Sequence, residues 1–234
     1  MVKSCETHPS DAALAPLGDN INRAPSRGFG NYGSGNLRGL KVLIVEDEYL
    51  QARALTVFLR NSGAMVVGPA PTVSRGIMEI EHHDLTIAVL DIRLGANLVF
   101  PLADRLSDVG IPYVFFSAPF QDIPVRYASV RRVAKGNGFE HLLSEVVVEQ
   151  ARDRAGLTMH RFRPKMTLDD ALPSFRHMAR GLVDHRDDAD HIVEMALERA
   201  IEIAETGIRV ENRVALVANL IELVWRDQTV PHKH

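Results

Sequence analysis

Lys41-Val42-Leu43-Ile44-Val45-Glu46-Asp47 is the stretch on which the fold turns: an unbroken apolar run closed by two carboxylates. A strand with one wet face alternates apolar and polar residues, so a run without alternation reads as a strand buried on both faces, as in parallel sheets covered by helices. Working outward, the same texture recurs in Ala64–Gly68, Thr86–Leu90 and Pro112–Phe116, and more weakly in Ser129–Ala134. The intervening segments carry helical spacing: Tyr49–Asn61 with Leu50, Ala54, Val57 and Phe58, then Val73–His82, Val99–Val109 and Phe139 to about Ala151. Strand and helix in strict alternation imply an α/β domain, a five-stranded parallel sheet with helices on both faces and right-handed crossovers.

The flanks of this domain read differently. Residues 1–38 hold Pro9, Pro16, Pro25 and a Gly/Asn/aromatic run without sustained period, which predicts a flexible leader. Residues 39–152 form the α/β domain. Residues 153–166, with Arg154, Arg161, Arg163 and Lys165 interrupted by Gly156 and Pro164, predict a basic linker. Residues 167–234 carry no strand signal and predict a small all-α module of three helices, Leu168–Leu182, Asp187–Glu205 and Val210–Arg226. Lys plus Arg number 27 against 30 Asp plus Glu, so no bulk attraction to nucleic acid or an acidic membrane is implied. Cys5 is the single cysteine, which excludes an internal disulfide and the usual zinc spacings. No run of about 18 apolar residues suggests a membrane span, and a cytoplasmic location is expected.

In an open parallel sheet the chemistry gathers at the carboxyl ends of the strands. There the chain places Glu46 and Asp47 after strand 1, Asp91 after strand 3, Ser117 after strand 4 and Lys135 after strand 5. A strand order of 2-1-3-4-5 brings all five to one edge. Three carboxylates so close repel one another unless a hard cation joins them, and Mg2+ with oxygen ligands is the economical choice. Asp91 then has the position of a nucleophile toward phosphorus. The cation and the Lys135 ammonium spread the charge on the phosphoryl oxygens, and the Ser117 hydroxyl hydrogen-bonds one of them.

These residues resemble the receiver domains of two-component response regulators over about residues 39–152. Val42-Leu43-Ile44-Val45-Glu46-Asp47-Glu48 is similar to the family's acidic-pair motif, and Val89-Leu90-Asp91-Ile92-Arg93-Leu94-Gly95 to its phosphoacceptor motif. Phe115-Phe116-Ser117-Ala118 and Val133-Ala134-Lys135 are similar to its hydroxyl and lysine motifs. The resemblance implies a flavodoxin-like doubly wound fold, phosphorylation of Asp91, Mg2+ held by Glu46, Asp47 and Asp91, Ser117 as switch hydroxyl and Lys135 on the phosphoryl group. It also implies a sensor histidine kinase or phosphotransfer protein as partner, and no catalysis beyond self-phosphorylation and slow autodephosphorylation. Three departures predict an unusual readout: Gly136 follows the lysine where Pro is common, Arg132 stands where an aromatic switch residue is common, and Pro119 and Pro124 interrupt the expected fourth helix.

For the tail, the apolar circumference of Val214–Trp225, broken only by Asn219 and Glu222, predicts burial in a bundle, against the receiver or in a homodimer, with dimerisation favoured. The expected output is a change in contacts with a protein partner. Two other readings stay open. His177-Met178-Ala179-Arg180-Gly181 is similar to a histidine phosphotransfer motif, and Ala204–Val210 before the last helix has the form of a helix-turn-helix, although Arg213 and Arg226 are sparse for DNA. Asp187 and His191 share a helix face, which helix capping explains without a metal.

Overall fold

The computed structural model describes residues 37–118, 123–158, 166–208, 210 and 212–229. Most of the leader, residues 159–165 of the linker, Pro119 and Arg209 lie outside them. Strands β1 (Lys41–Val45), β2 (Met65–Ala70), β3 (Ile87–Leu90), β6 (Tyr113–Ser117) and β7 (Arg132–Ala134) form one parallel sheet, with β4 (Arg93–Leu94) and β5 (Asn97–Leu98) as a small antiparallel ribbon after β3. The sheet order is β2-β1-β3-β6-β7, which is 2-1-3-4-5 when its own strands are counted. This is the flavodoxin-like order.

The unbroken apolar runs have a direct cause. Leu43, Val45, Leu90 and Phe115 point into a core shared with α3 (Phe100–Asp108) and α2 (Val73–His82). Their neighbours Val42, Ile44, Val89 and Val114 point into a second core under α1 (Tyr49–Asn61) and α4 (Phe139–Arg154). Both faces of each strand are dry, so alternation has no reason to appear. Where α2 crosses α3 the packing is close: a Cβ added at Gly76 would stand 2.6 Å from Leu102 Cδ2. Gly76→Ala is therefore expected to lower stability by about 1–3 kcal/mol through overpacking, against the usual helix preference for Ala, and urea unfolding checks it.

Between β6 and β7 the described residues hold one 3-10 turn, Val125–Tyr127, and no α-helix. Tyr127 anchors it: its ring stacks on Phe100 at 5.0 Å, and its hydroxyl donates to Asp104 and, at 3.2 Å, to the Phe100 carbonyl. The Val130 amide closes this turn on Tyr127 at 3.0 Å, so Ser129 and Val130 leave the strand expected for them and β7 starts only at Arg132.

The tail folds as α5 (Leu168–Leu182), α6 (Arg186–Glu205) and α7 (Arg213–Thr229). Thr167 starts α5 with a capping box to Asp170. The three helices share a core with the far half of α4 and the residue that follows it: Val148, Ala151 and Ala155 cluster with Phe175, Met178, Ile192, Val217, Ile221 and Trp225. The tail is thus completed to four helices by the last helix of the sheet domain. Residues 153–158, read from the sequence as solvated linker, extend this packing, with Asp153, Leu157 and Thr158 buried. Most of the apolar surface of α7 is covered within the chain, with Leu223 left exposed, which weakens the sequence argument for dimerisation.

Charge seals the joint between sheet and bundle. Arg131, just before β7, donates to Glu145 at 2.7 Å and Glu149 at 3.0 Å on α4, and to both carboxylate oxygens of Glu222 on α7. Arg226 pairs with Glu145 at 2.6 Å and with Glu222 at 2.9 Å. Burial opposes ionisation of Glu222, but the Arg131 hydrogen bond and the Arg131 and Arg226 charges outweigh it and hold the carboxyl below its ordinary 4.5. A depressed carboxyl pKa contributes stability above the unfolded pKa and loses it as pH falls through the folded one. The melting temperature should therefore drop below about pH 4.5, and Glu222→Gln should flatten that drop. None of the described helices is long and apolar enough to cross a membrane.

Candidate functional site

The register of the sheet assembles the site. Val45 pairs with Leu90 and Leu90 with Phe115, so Glu46 and Asp91 are the first residues beyond neighbouring strands. Ser117 pairs with Ala134, and Lys135 follows directly. Backbone bonds pin the carboxylate bearers: the Glu46 amide donates to Ala70 O at 3.1 Å and the Asp91 amide to Val45 O at 2.8 Å.

Lys135 Nζ lies 2.7 Å from Asp91 Oδ2 and 2.7 Å from Glu46 Oε2, bridging two buried carboxylates. Asp47 is exposed at the mouth, where its Oδ2 accepts the Gly95 amide at 2.8 Å. One oxygen from each of Glu46, Asp47 and Asp91 can be chosen so that all lie within 4.8 Å of one another, and these are the sole such acidic or His/Cys group among the described residues. Ser117 is buried on the adjoining strand, and its hydroxyl donates to Ala118 O at 3.4 Å rather than to Asp91. The five residues singled out in the sequence therefore share one edge, with four of them around the acidic centre and Ser117 one strand away.

The electrostatics show an unbalanced acid cluster. Burial lifts the Glu46 carboxyl above its usual range; the Lys135 hydrogen bond opposes this, and the Asp91 charge adds to it. Burial alone would push the Lys135 ammonium down, but hydrogen bonds and charges from Asp91 and Glu46 raise it. One ammonium faces three carboxylates, so hard oxygen donors remain for a further cation, and a hard divalent ion fits the donor set.

No family model matches the chain, and no curated protein matches it. Among solved structures it is similar to the N-terminal domain of a response regulator/sensory box/GGDEF 3-domain protein from Carboxydothermus hydrogenoformans, at 22% identity and a TM-score of 0.45 over 50% of this chain and 99% of that one. It is also similar to BeF3-activated SdrG from Pseudomonas melonis Fr1, at 27% identity and a TM-score of 0.39 over 45% of this chain and 94% of that one. The response regulator StyR matches at 18% identity and a TM-score of 0.41 over 80% of this chain and 91% of that one.

The tail's candidate residues stand apart from the acidic edge. His177 and Arg180 are exposed on α5, and Gly181 serves helix packing: a Cβ there would lie 3.0 Å from Ala151 Cβ on α4. Asp187 and His191 are exposed on α6. Arg213 is exposed, whereas Arg226 is drawn into the ion pairs of the joint. Sequence reasoning missed two features. The Gly95 amide that holds Asp47 is a backbone donor without a side-chain signature. The Arg131 network was foreshadowed only by Glu145, Glu149 and Arg152 at helical spacing on α4 and by Glu222 interrupting an apolar helix.

Proposed function

We propose that the chain is a two-component response regulator whose Asp91 accepts a phosphoryl group from a sensor histidine kinase or phosphotransfer protein. The observation that carries this reading is the Lys135 ammonium set 2.7 Å from both Asp91 and Glu46 at the carboxyl edge of the sheet. A carboxylate oxygen of Asp91 attacks phosphorus, a P–O bond forms, and the P–N bond of a phosphohistidine donor breaks with the electron pair leaving on nitrogen. Lys135 stabilises the charge on the phosphoryl oxygens, and Glu46, Asp47 and Asp91 would hold Mg2+, which would supply further charge neutralisation. Ser117 turns its hydroxyl from Ala118 O toward the phosphoryl group, drawing the loop after β6 with it.

The output is a change in protein contacts made through the helical bundle. Because α4 belongs to both cores, a shift of the β7 and α4 face reaches the bundle without a linker. The chain acts in the cytoplasm and catalyses nothing beyond its own phosphorylation and slow dephosphorylation. Whether it works as a homodimer is read by light scattering before and after phosphorylation.

Intact mass after incubation with acetyl phosphate and Mg2+ tests the reading: one added phosphoryl group is expected, and none in wild type with rapid sampling overturns it. Mg2+ alone should also stabilise the fold. At ten times its Kd, binding contributes about 1.4 kcal/mol, or about 3–6 °C in melting temperature for a chain of this length. Glu46→Gln should abolish most of that rise in thermal melts.

A further inference from the structure

A cavity of about 550 Å3 opens at the joint between sheet and bundle, away from the acidic edge. Its walls include Tyr113 and Arg131 from the sheet side, Arg152 and Leu157 at the end of α4, and Ala215 and Asn219 from α7. That volume lies within the range of small-molecule sites, and such sites favour junctions between substructures.

Arg152 is the residue that the joint leaves poorly matched. Its side chain is only 15% exposed. A guanidinium offers five N–H donors. Here it makes one 3.0 Å bond to Asn219 Oδ1 and one 3.4 Å contact to Glu222 Oε2. That Glu222 oxygen already accepts from Arg131, and the other oxygen serves Arg131 and Arg226. One carboxylate is therefore shared by three guanidiniums, while Arg131 alone engages three carboxylates. Burial pushes the Arg152 pKa down and the neighbouring Arg131 charge pushes the same way, against partial compensation from Glu222 and Glu149. Three guanidiniums face three carboxylates, so the charges balance, but Arg152 has the longest ion-pair contact among them and N–H donors left over. A carboxylate or phosphate in forked geometry takes those donors, beside the Glu149 and Glu222 carboxylates that also line the cavity.

We propose that this cavity binds a small organic anion, its carboxylate or phosphate group paired with Arg152 and its apolar body against Leu157 and Val214. Tyr113 and Arg131 line it from the sheet side and Ala215 and Asn219 from α7, so an occupant clamps the bundle against the sheet domain. The chain then has an input of its own at the joint, independent of phosphoryl chemistry at Asp91.

The chain's single tryptophan neighbours the site: Trp225 is buried in the bundle core, and the guanidinium carbon of the cavity-lining Arg226 lies 5.9 Å from its ring. The full chain carrying Asp91→Asn, with EDTA to silence the acidic edge, is titrated at constant ionic strength with inorganic phosphate and separately with octanoate. A saturable change in Trp225 emission is expected with at least one probe, phosphate alone or octanoate alone identifying the preferred acid group. Arg152→Gln should weaken that Kd at least tenfold, and Ala215→Leu, which fills the cavity without altering charge, should abolish the response. Silence with both probes overturns the proposal, as does an unchanged Kd in either variant. Should Arg152→Gln fail to fold by circular dichroism, Ala215→Leu decides the matter alone.

Discussion

Asp91→Asn should take up no phosphoryl group from acetyl phosphate and Mg2+, while the wild-type chain gains one. The substitution exchanges one carboxylate oxygen for an amide nitrogen of nearly equal size, so the amide-to-carbonyl bond from residue 91 to Val45 and the buried position are retained. What disappears is the nucleophile: an amide oxygen lacks the negative charge needed to attack phosphorus, and loss of uptake should be complete rather than graded. The same change removes one of the three charges around the cation site. Mg2+ affinity should fall too, and the wild-type rise in melting temperature with Mg2+ should shrink. The fold itself should persist, because the substitution takes away one of three mutually repelling carboxylates and Lys135 keeps Glu46 at 2.7 Å. Intact mass, circular dichroism and thermal melts with and without Mg2+ separate these effects. Uptake by Asp91→Asn equal to wild type would place the phosphoryl group elsewhere and remove the proposed role of the acidic edge.

The acidic edge was legible because strand ends are legible. Val42–Val45 and Ile87–Leu90 are buried on both faces, so their apolar runs are unbroken and the first polar residue after each must sit at the rim. Strand β7 was overestimated because Ser129 and Val130 have strand-like chemistry, yet a local turn on Tyr127 removes them from the ladder. The ribbon of β4 and β5 left no trace, since two residues per strand carry no period. The role of α4 was hidden for a different reason. Leu142 and Val146 face the sheet while Val148 and Ala151 face the bundle, and two apolar faces on one helix blur into a single featureless pattern. Likewise, the apolar circumference of α7 said that it must be covered but not by what. Helices of the same chain cover most of it and leave Leu223 exposed. Backbone donors such as the Gly95 amide are invisible to any reading of side chains.

Arg131→Met should be the most destabilising single change in the joint, at about 3–5 kcal/mol, because it deletes one partner of a buried network and strands the others. Arg131 serves Glu145, Glu149 and Glu222 at once with a side chain only 14% exposed. Methionine fills similar space but offers no charge, so Glu222 keeps only Arg226 and the distant contact with Arg152. For a chain of this length the loss corresponds to a fall of about 6–20 °C in melting temperature. Its location is as telling as its size. Hydrogen exchange should accelerate first and most in α7, since Glu222 is the contact between that helix and Arg131, whereas β1 and β3, held by apolar burial on both faces, should accelerate only through the global loss of stability. Combined with Glu222→Gln the losses should not add, with a coupling of about 0.5–3 kcal/mol for residues in one network. If the two changes add, or if α7 exchanges as slowly as in wild type, the Arg131–Glu222 pair does not hold α7 to the sheet. In that case a displacement of β7 at the phosphorylation edge does not move α7 through that pair. With coupling present, the same strand that leads into Lys135 at the acidic edge begins beside Arg131 at the joint, and three residues of backbone separate the two.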